Sequence, residues 1–222
     1  MQILYEDNHI LVVEKPVNVP VQADDSRDPD LLTMLKEYIK EKYSKPGNVY
    51  LGLVHRLDRP VGGVMVFART SKAASRLSKA VSERDFHKTY MAVVQGVPSE
   101  KRGTLKDYLT KDQSTNTVTV TDEKHGKPAI LDYESMACAE GLSLIKVNLH
   151  TGRSHQIRVQ CASHGFPIWG DQRYNKTAHP GQQIALWASE LRFTHPVSKQ
   201  EMHFASPLPD SYPYTLFKGV SE

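Results

Sequence analysis

Short apolar runs that alternate with polar residues dominate this chain, and they follow one another instead of taking turns with helices. Residues 3–5 and 9–14 flank a turn-like Glu6-Asp7-Asn8, 64–68 follows paired glycines, and 89–95 ends at Gly96-Val97-Pro98. Between Gly103 and Leu149 come three or four strand-like segments, namely Thr117–Thr121, 129–137 and Leu142–Leu149, set between loops rich in Gly, Lys and Asp. Residues 183–194 and 200–205 are strand-like again, ahead of Pro207 and Pro209. A two-residue alternation reads as strand, since successive side chains leave opposite faces. Strands arriving in runs pair mainly with their neighbours, so the expected class is α+β, a mixed, mainly antiparallel sheet with flanking helices.

Three segments have helical spacing instead. Leu31, Leu32, Leu35, Tyr38 and Ile39 repeat behind Asp30, whose carboxylate suits an N-cap. Residues 71–81 place Ala74, Leu77 and Val81 on one face, with Thr70 or Ser71 as the cap, and 154–164 runs to Gly165, a helix-stopping residue.

Composition excludes several classes. With 222 residues, 39% of them hydrophobic and 24% charged, the chain has enough material for one larger domain or two unequal lobes. Its apolar runs fall well short of the ~20 residues of a membrane helix, and the opening MQILYEDNHI is acidic where a signal peptide is basic. A cytoplasmic location is expected. Cys138 and Cys161 are the only cysteines, which fits a reducing compartment. No glycine-rich nucleotide cradle, CxxC, HExxH or GxSxG occurs and the ten histidines are dispersed, so what remains is chemistry with no cofactor and no metal, or no chemistry.

Charge is unevenly placed. The whole chain carries +3, yet Val54 to Tyr90 holds Arg56, Arg59, Arg69, Lys72, Arg76, Lys79, Arg84 and Lys88 against Asp58, Glu83 and Asp85, a net +5. His150 to Lys176 adds Arg153, Arg158, Arg173 and Lys176 against Asp171, a further +3. A focused basic field attracts polyanions.

Within these stretches, His55-Arg56-Leu57-Asp58-Arg59-Pro60-Val61-Gly62-Gly63 sets an acid between two arginines on an irregular backbone just ahead of a strand. Flanking guanidiniums favour the ionised carboxylate, so Asp58 is a candidate nucleophile or base. The plain alternative is an ion pair in a tight turn. A second segment, Leu149-His150-Thr151-Gly152-Arg153-Ser154-His155-Gln156-Ile157-Arg158-Val159-Gln160, gathers forked donors beside a glycine turn, as phosphate or carboxylate recognition requires. Helical spacing brings Arg153, Gln156 or Ile157, and Gln160 near one another and puts Arg158 on a different part of the surface. The third, Lys88-Thr89-Tyr90-Met91-Ala92-Val93-Val94-Gln95-Gly96, has an aromatic at the head of an apolar strand, a position that serves core packing as readily as a site.

Taken in order with Pro167-Ile168-Trp169-Gly170-Asp171, residues 186–196 and Phe204-Ala205-Ser206-Pro207, these segments resemble the RluA family of RNA pseudouridine synthases over nearly the whole chain. The resemblance implies an isomerase that detaches uracil from ribose, turns it and rejoins it through carbon 5, acting on ribosomal or transfer RNA by base flipping. It implies Asp58 as the catalytic carboxylate, Arg158 as its salt-bridge partner and Tyr90 as the aromatic packed on the target base. Arg56 matches the residue that enters the helix where the uridine has left. His55, Arg59, Arg153, His155 and Gln156 complete the expected RNA-binding set. A monomer with a single catalytic domain over 1–222 and no separate N-terminal RNA-binding domain is expected.

The chain departs from the family pattern at Val61-Gly62, where many relatives have Thr-Ser, at Gln160, where histidine is common, and at Trp187, where histidine is frequent. Two other functions compete. A silent RNA-binding module has no need of Asp58, Tyr90 and Arg158 together. A hydrolytic glycosidase wants a second carboxylate, for which Asp171 is the one candidate, and its context reads as support for the loop after the third helix.

Overall fold

The computed structural model describes residues 1–219. It divides into two compact units, Met1–His87 with Ala188–Ser206, and Lys88–Trp187 with residues 207–219.

In the first unit, β1 (Gln2–Glu6) and β2 (Ile10–Lys15) form an antiparallel hairpin. Asp7 makes its turn: Oδ1 accepts from the backbone N–H of His9 and Ile10 at 2.7 and 2.8 Å, the local bonding that favours Asp in turns. β2 runs antiparallel to β4 (Gly62–Ala68), which also pairs with the short β3 (Gly52–Leu53). β4 is buried at every position, so its residues read as one continuous apolar run. The late strand β10 (Leu186–Thr194) lies beside β4 and pairs with β11 (Glu201–Ala205).

Two helices flank these strands. α1 (Leu31–Lys42) is capped by Asp30, which accepts from Thr33 N at 3.0 Å, and buries Leu31, Leu35 and Ile39. α2 (Ser71–Glu83) is capped by Thr70 and ends on Arg84 in the left-handed region. Its Ala73 and Leu77 pack with Ile10, Val12, Val64, Val66, Phe86, Leu191 and Phe193 in the core of this unit.

In the second unit, spatial order is β5 (Phe86–Gln95, whose residues from Lys88 onward belong here), β9 (Leu142–Leu149), β8 (Lys127–Ala139), β6 (Arg102–Asp112) and β7 (Thr117–Thr121), with antiparallel neighbours throughout. α3 (Gln156–Ser163) packs Val159 against Leu109, Val118 and Ala129.

The fold is the expected α+β, but some boundaries differ. The specific strand over Arg102–Asp112 has no clean alternation in sequence, because Asp107 sits between the inward Leu105 and Leu109. Gln160 makes that placement possible by donating to the Asp107 carboxylate at 2.7 Å. α3 is also shorter than the periodicity predicts. It starts after His155, whose φ of 50° is left-handed, and Gln156 through Cys161 are all buried. Arg158 is therefore inside, not on a separate part of the surface.

Candidate active site

The Asp58 segment joins β3 to β4 in the first unit. Leu57 and Val61 turn inward, which leaves Asp58 partly exposed between them and Arg56 exposed. The turn closes through Val61 N to Asp58 O at 3.0 Å. Its main support was not apparent from the motif. Lys15, at the end of β2, has no exposed surface, and its ammonium donates to the carbonyls of Val61, Arg59 and Pro16 at 2.7, 2.9 and 3.0 Å. Three N–H donors meet three acceptors, which is the satisfaction a buried ammonium requires. Burial drives Lys15 down to about 7, the Asp58 carboxylate works against that shift, and Arg59 adds to it. The sequence signal for Lys15 was slight, a charged Glu14-Lys15 pair ending an apolar strand before Pro16.

The loop's other side chains are committed to different tasks. His55 is buried, its Nε2 accepts from Val66 N at 3.2 Å, and its ring lies 5.2 Å from that of Phe86. Arg59 reaches outward to the loop before α1, bonding Ser26 Oγ at 2.9 Å, pairing with Asp28 and standing 3.8 Å from Asp24. Gly63 follows with φ 117°, and a Cβ there would lie 2.2 Å from Ala188 O, so no side chain fits. Of the family departures, Val61 is buried and Gly62 opens β4.

In the second unit, Tyr90 lies on β5 opposite Val147 and is 6% exposed. The turn before α3 is built by Gln156. Its Oε1 accepts from Thr151 Oγ1 at 2.8 Å and Arg153 N at 3.0 Å, and its Nε2 donates to Ile130 O at 3.1 Å. Gln156 is thus a buried brace that shapes the Thr151–Arg153 turn, while Arg153 itself is exposed and donates through Nε to Pro128 O at 3.0 Å. His155 is part-buried, with Nδ1 2.7 Å from Tyr174 Oη. Burial lowers the Lys88 ammonium from its usual range.

Arg158 is buried and held side-on by Asp171. Nε donates to Oδ2 and Nη2 to Oδ1, both at 2.8 Å, with the side chains 8% and 0% exposed. Asp171 does support the turn after α3, accepting from Arg173 N at 3.1 Å, and holds the arginine as well.

The sequence model described as RNA pseudouridylate synthase matches residues 9–163. The ribosomal large subunit pseudouridine synthase D of Zymomonas mobilis is 31% identical, covering 98% of this chain and 72% of its own. The uncharacterized RNA pseudouridine synthase YhcT of Bacillus subtilis is also 31% identical, over 94% and 69%. Among solved structures, human RNA pseudouridylate synthase domain containing 4 superposes with a TM-score of 0.82 at 20% identity, covering 97% of this chain and 92% of that one, a likeness of fold. The matched span takes in the Asp58 turn, Tyr90 and Arg158 alike, and on it the chain belongs to the RluA-type branch of the RNA pseudouridylate synthases, isomerases that rearrange uridine within RNA.

Proposed function

We propose that this enzyme converts a uridine of large-subunit ribosomal RNA to pseudouridine, with Asp58 as its catalytic carboxylate. The observation that carries the role of Asp58 is its setting: a partly exposed acid on a turn pinned through the backbone by a buried ammonium. A group held that way keeps its place while RNA comes and goes, which is what a reacting carboxylate needs. The choice of RNA is supported by relatives from Zymomonas mobilis and Haemophilus influenzae that are named for the large ribosomal subunit.

The reaction breaks the bond from the ribose anomeric carbon to N1 of uracil and makes one from that carbon to C5. The proton on C5 leaves and N1 gains one, so the balance needs no oxidant, reductant or cofactor. Whether the carboxylate attacks the sugar, attacks the base or removes a ribose proton, it must be ionised beside a bond whose cleavage builds positive charge on the sugar. Arg158 supplies the counter-charge for Asp58. Tyr90 packs on the target base and takes part in removing the C5 proton.

The uridine is reached by base flipping, because the bond to be broken lies within a stack. Arg56 fills the vacated position, where a planar guanidinium stacks well. Arg153, Arg59 and His155 serve the RNA backbone, and His55 and Gln156 serve it by shaping the loops that carry those cations. The enzyme works in the cytoplasm without a metal or cofactor.

The test is to map pseudouridine in cells with and without the gene, then assay purified wild type and Asp58→Asn on the RNA that changes. We expect Asp58→Asn to lower the rate by about a thousandfold or more, as removal of a reacting carboxylate does. Pseudouridine formation at the normal rate in that variant overturns the assignment.

A further inference from the structure

A planar guanidinium acts at one atom only if its plane and its in-plane rotation are both fixed. For Arg158, the side-on pair with Asp171 fixes the rotation, since two parallel bonds at 2.8 Å along the Nε–Nη2 edge set the direction in which Nη1 points. The ring of Tyr174 fixes the plane, lying 5.2 Å from Arg158 Cζ.

Both residues are themselves anchored. Asp171 Oδ1 also accepts from the backbone N–H of Arg173 and Tyr174, at 3.1 and 3.4 Å. Asn175 N donates to Asp171 O at 2.8 Å, and its side chain donates to Ile168 O at 2.9 Å. Gly170 starts this turn with φ 73°, where a Cβ would stand 2.5 Å from Gln183 O. The Tyr174 hydroxyl accepts from Val118 N at 2.9 Å and is hydrogen-bonded to His155 Nδ1, 2.7 Å away.

We propose that Asp171 and Tyr174 are positioning residues for the reaction, holding Arg158 in the one orientation from which it acts. The inference rests on the role of Arg158 proposed above. A merely structural carboxylate has no need of two bonds to an arginine, because backbone N–H groups already satisfy Oδ1. Nor does a core tyrosine need its ring over a cation while its hydroxyl bridges a strand and a histidine.

The experiment is a set of single and double variants assayed by release of tritium from uridine labelled at carbon 5, in transcribed large-subunit ribosomal RNA. Rates are normalised to the folded fraction. We expect Asp171→Asn to lower kcat by about 30-fold or more with KM changed less than about threefold, the signature of an interaction that matters in the transition state. Tyr174→Leu should lower kcat by about three- to tenfold, whereas Tyr174→Phe, which keeps the ring, should retain most of the rate. Arg158→Ala with Asp171→Asn should be no slower than Arg158→Ala alone, since Asp171 acts only through the arginine. Added guanidinium ion at millimolar concentration should restore part of the rate to Arg158→Ala, and none to the double variant.

Full activity in Arg158→Ala sinks the reading of Arg158 itself. Loss in Arg158→Ala with normal kcat in both Asp171→Asn and Tyr174→Leu sinks the positioning role alone. Should Asp171→Asn fail to fold, the contrast between Tyr174→Leu and Tyr174→Phe decides: equal rates overturn the proposal.

Discussion

The turn that carries Asp58 and the turn whose Asp171 grips Arg158 manage opposite charges by opposite means. In the first, a buried cation grips backbone carbonyls: Lys15 bonds Arg59 O and Val61 O. In the second, a buried side-chain anion grips a cationic side chain directly, Asp171 on Arg158. Support through the backbone fixes where the chain runs whatever residues it carries. That explains how the loop accommodates Val61-Gly62 in place of the usual hydroxyl pair. Support through side chains fixes one group's orientation and depends on the identity of both partners.

The two turns share one device, a glycine that no side chain can replace, and it sets the largest expected effect. Gly63→Ala places a Cβ 2.2 Å from Ala188 O, and Gly170→Ala one 2.5 Å from Gln183 O, both at positive φ. Each should cost about 3–5 kcal/mol in urea unfolding, in the range of core overpacking and backbone strain together. If either alanine variant unfolds at the wild-type midpoint, the turns are looser than their geometry says.

Lys15→Met separates the two strategies. It removes the cation and leaves Arg59 O and Val61 O buried without their donor, so a loss of about 2–4 kcal/mol is expected. Activity should fall with it, through loss of the Asp58 turn. A stable, active Lys15→Met protein would show that the turn needs no cation.

The same lysine gives the comparison a pH dependence. Below about 7, Lys15 is charged in both states and the folded state carries the cost of burying it. Between that value and the ordinary lysine value of about 10.4, only the unfolded chain holds the proton, so stability rises with pH across this window. Between pH 7 and 9.5 the wild type should gain about 1–3 kcal/mol relative to Lys15→Met. Parallel pH profiles for the two proteins would remove Lys15 from the account.

Arg59 stands at the small end. Its pairs with Asp24 and Asp28 are largely exposed, so Arg59→Ala should change stability by less than about 1 kcal/mol. If its cation turns to RNA phosphate, the salt dependence of RNA binding should flatten by about one charge. An unchanged slope with weaker binding would assign it a base contact instead.

The local pieces were readable because they depend on neighbours in sequence. Asp30 and Thr70 cap the helices they precede, and the apolar alternation of β2 and β9 marks strands whatever they pair with. Asp58, Tyr90 and Arg158 were named as site residues through the resemblance of their three segments, taken together, to the family. β6 was not readable, since Asp107 breaks its alternation and finds its partners in Gln160 and His164, more than fifty residues later. Gln156 entered the expected RNA-binding set with the family resemblance, and no local pattern showed that its amide oxygen bonds Thr151 and Arg153 while its amide nitrogen donates to Ile130 O on β8.

Local order alone determined most of the secondary structure, the class of fold and the family, since propensities, caps and motifs act over a few residues. What surrounds each charge was decided by the tertiary structure. Lys15 meets the carbonyls of a loop more than forty residues on, and Arg158 meets a carboxylate from beyond its own helix. The physical reason is burial: a charge removed from water must find partners wherever the fold delivers them, and no local pattern encodes that address.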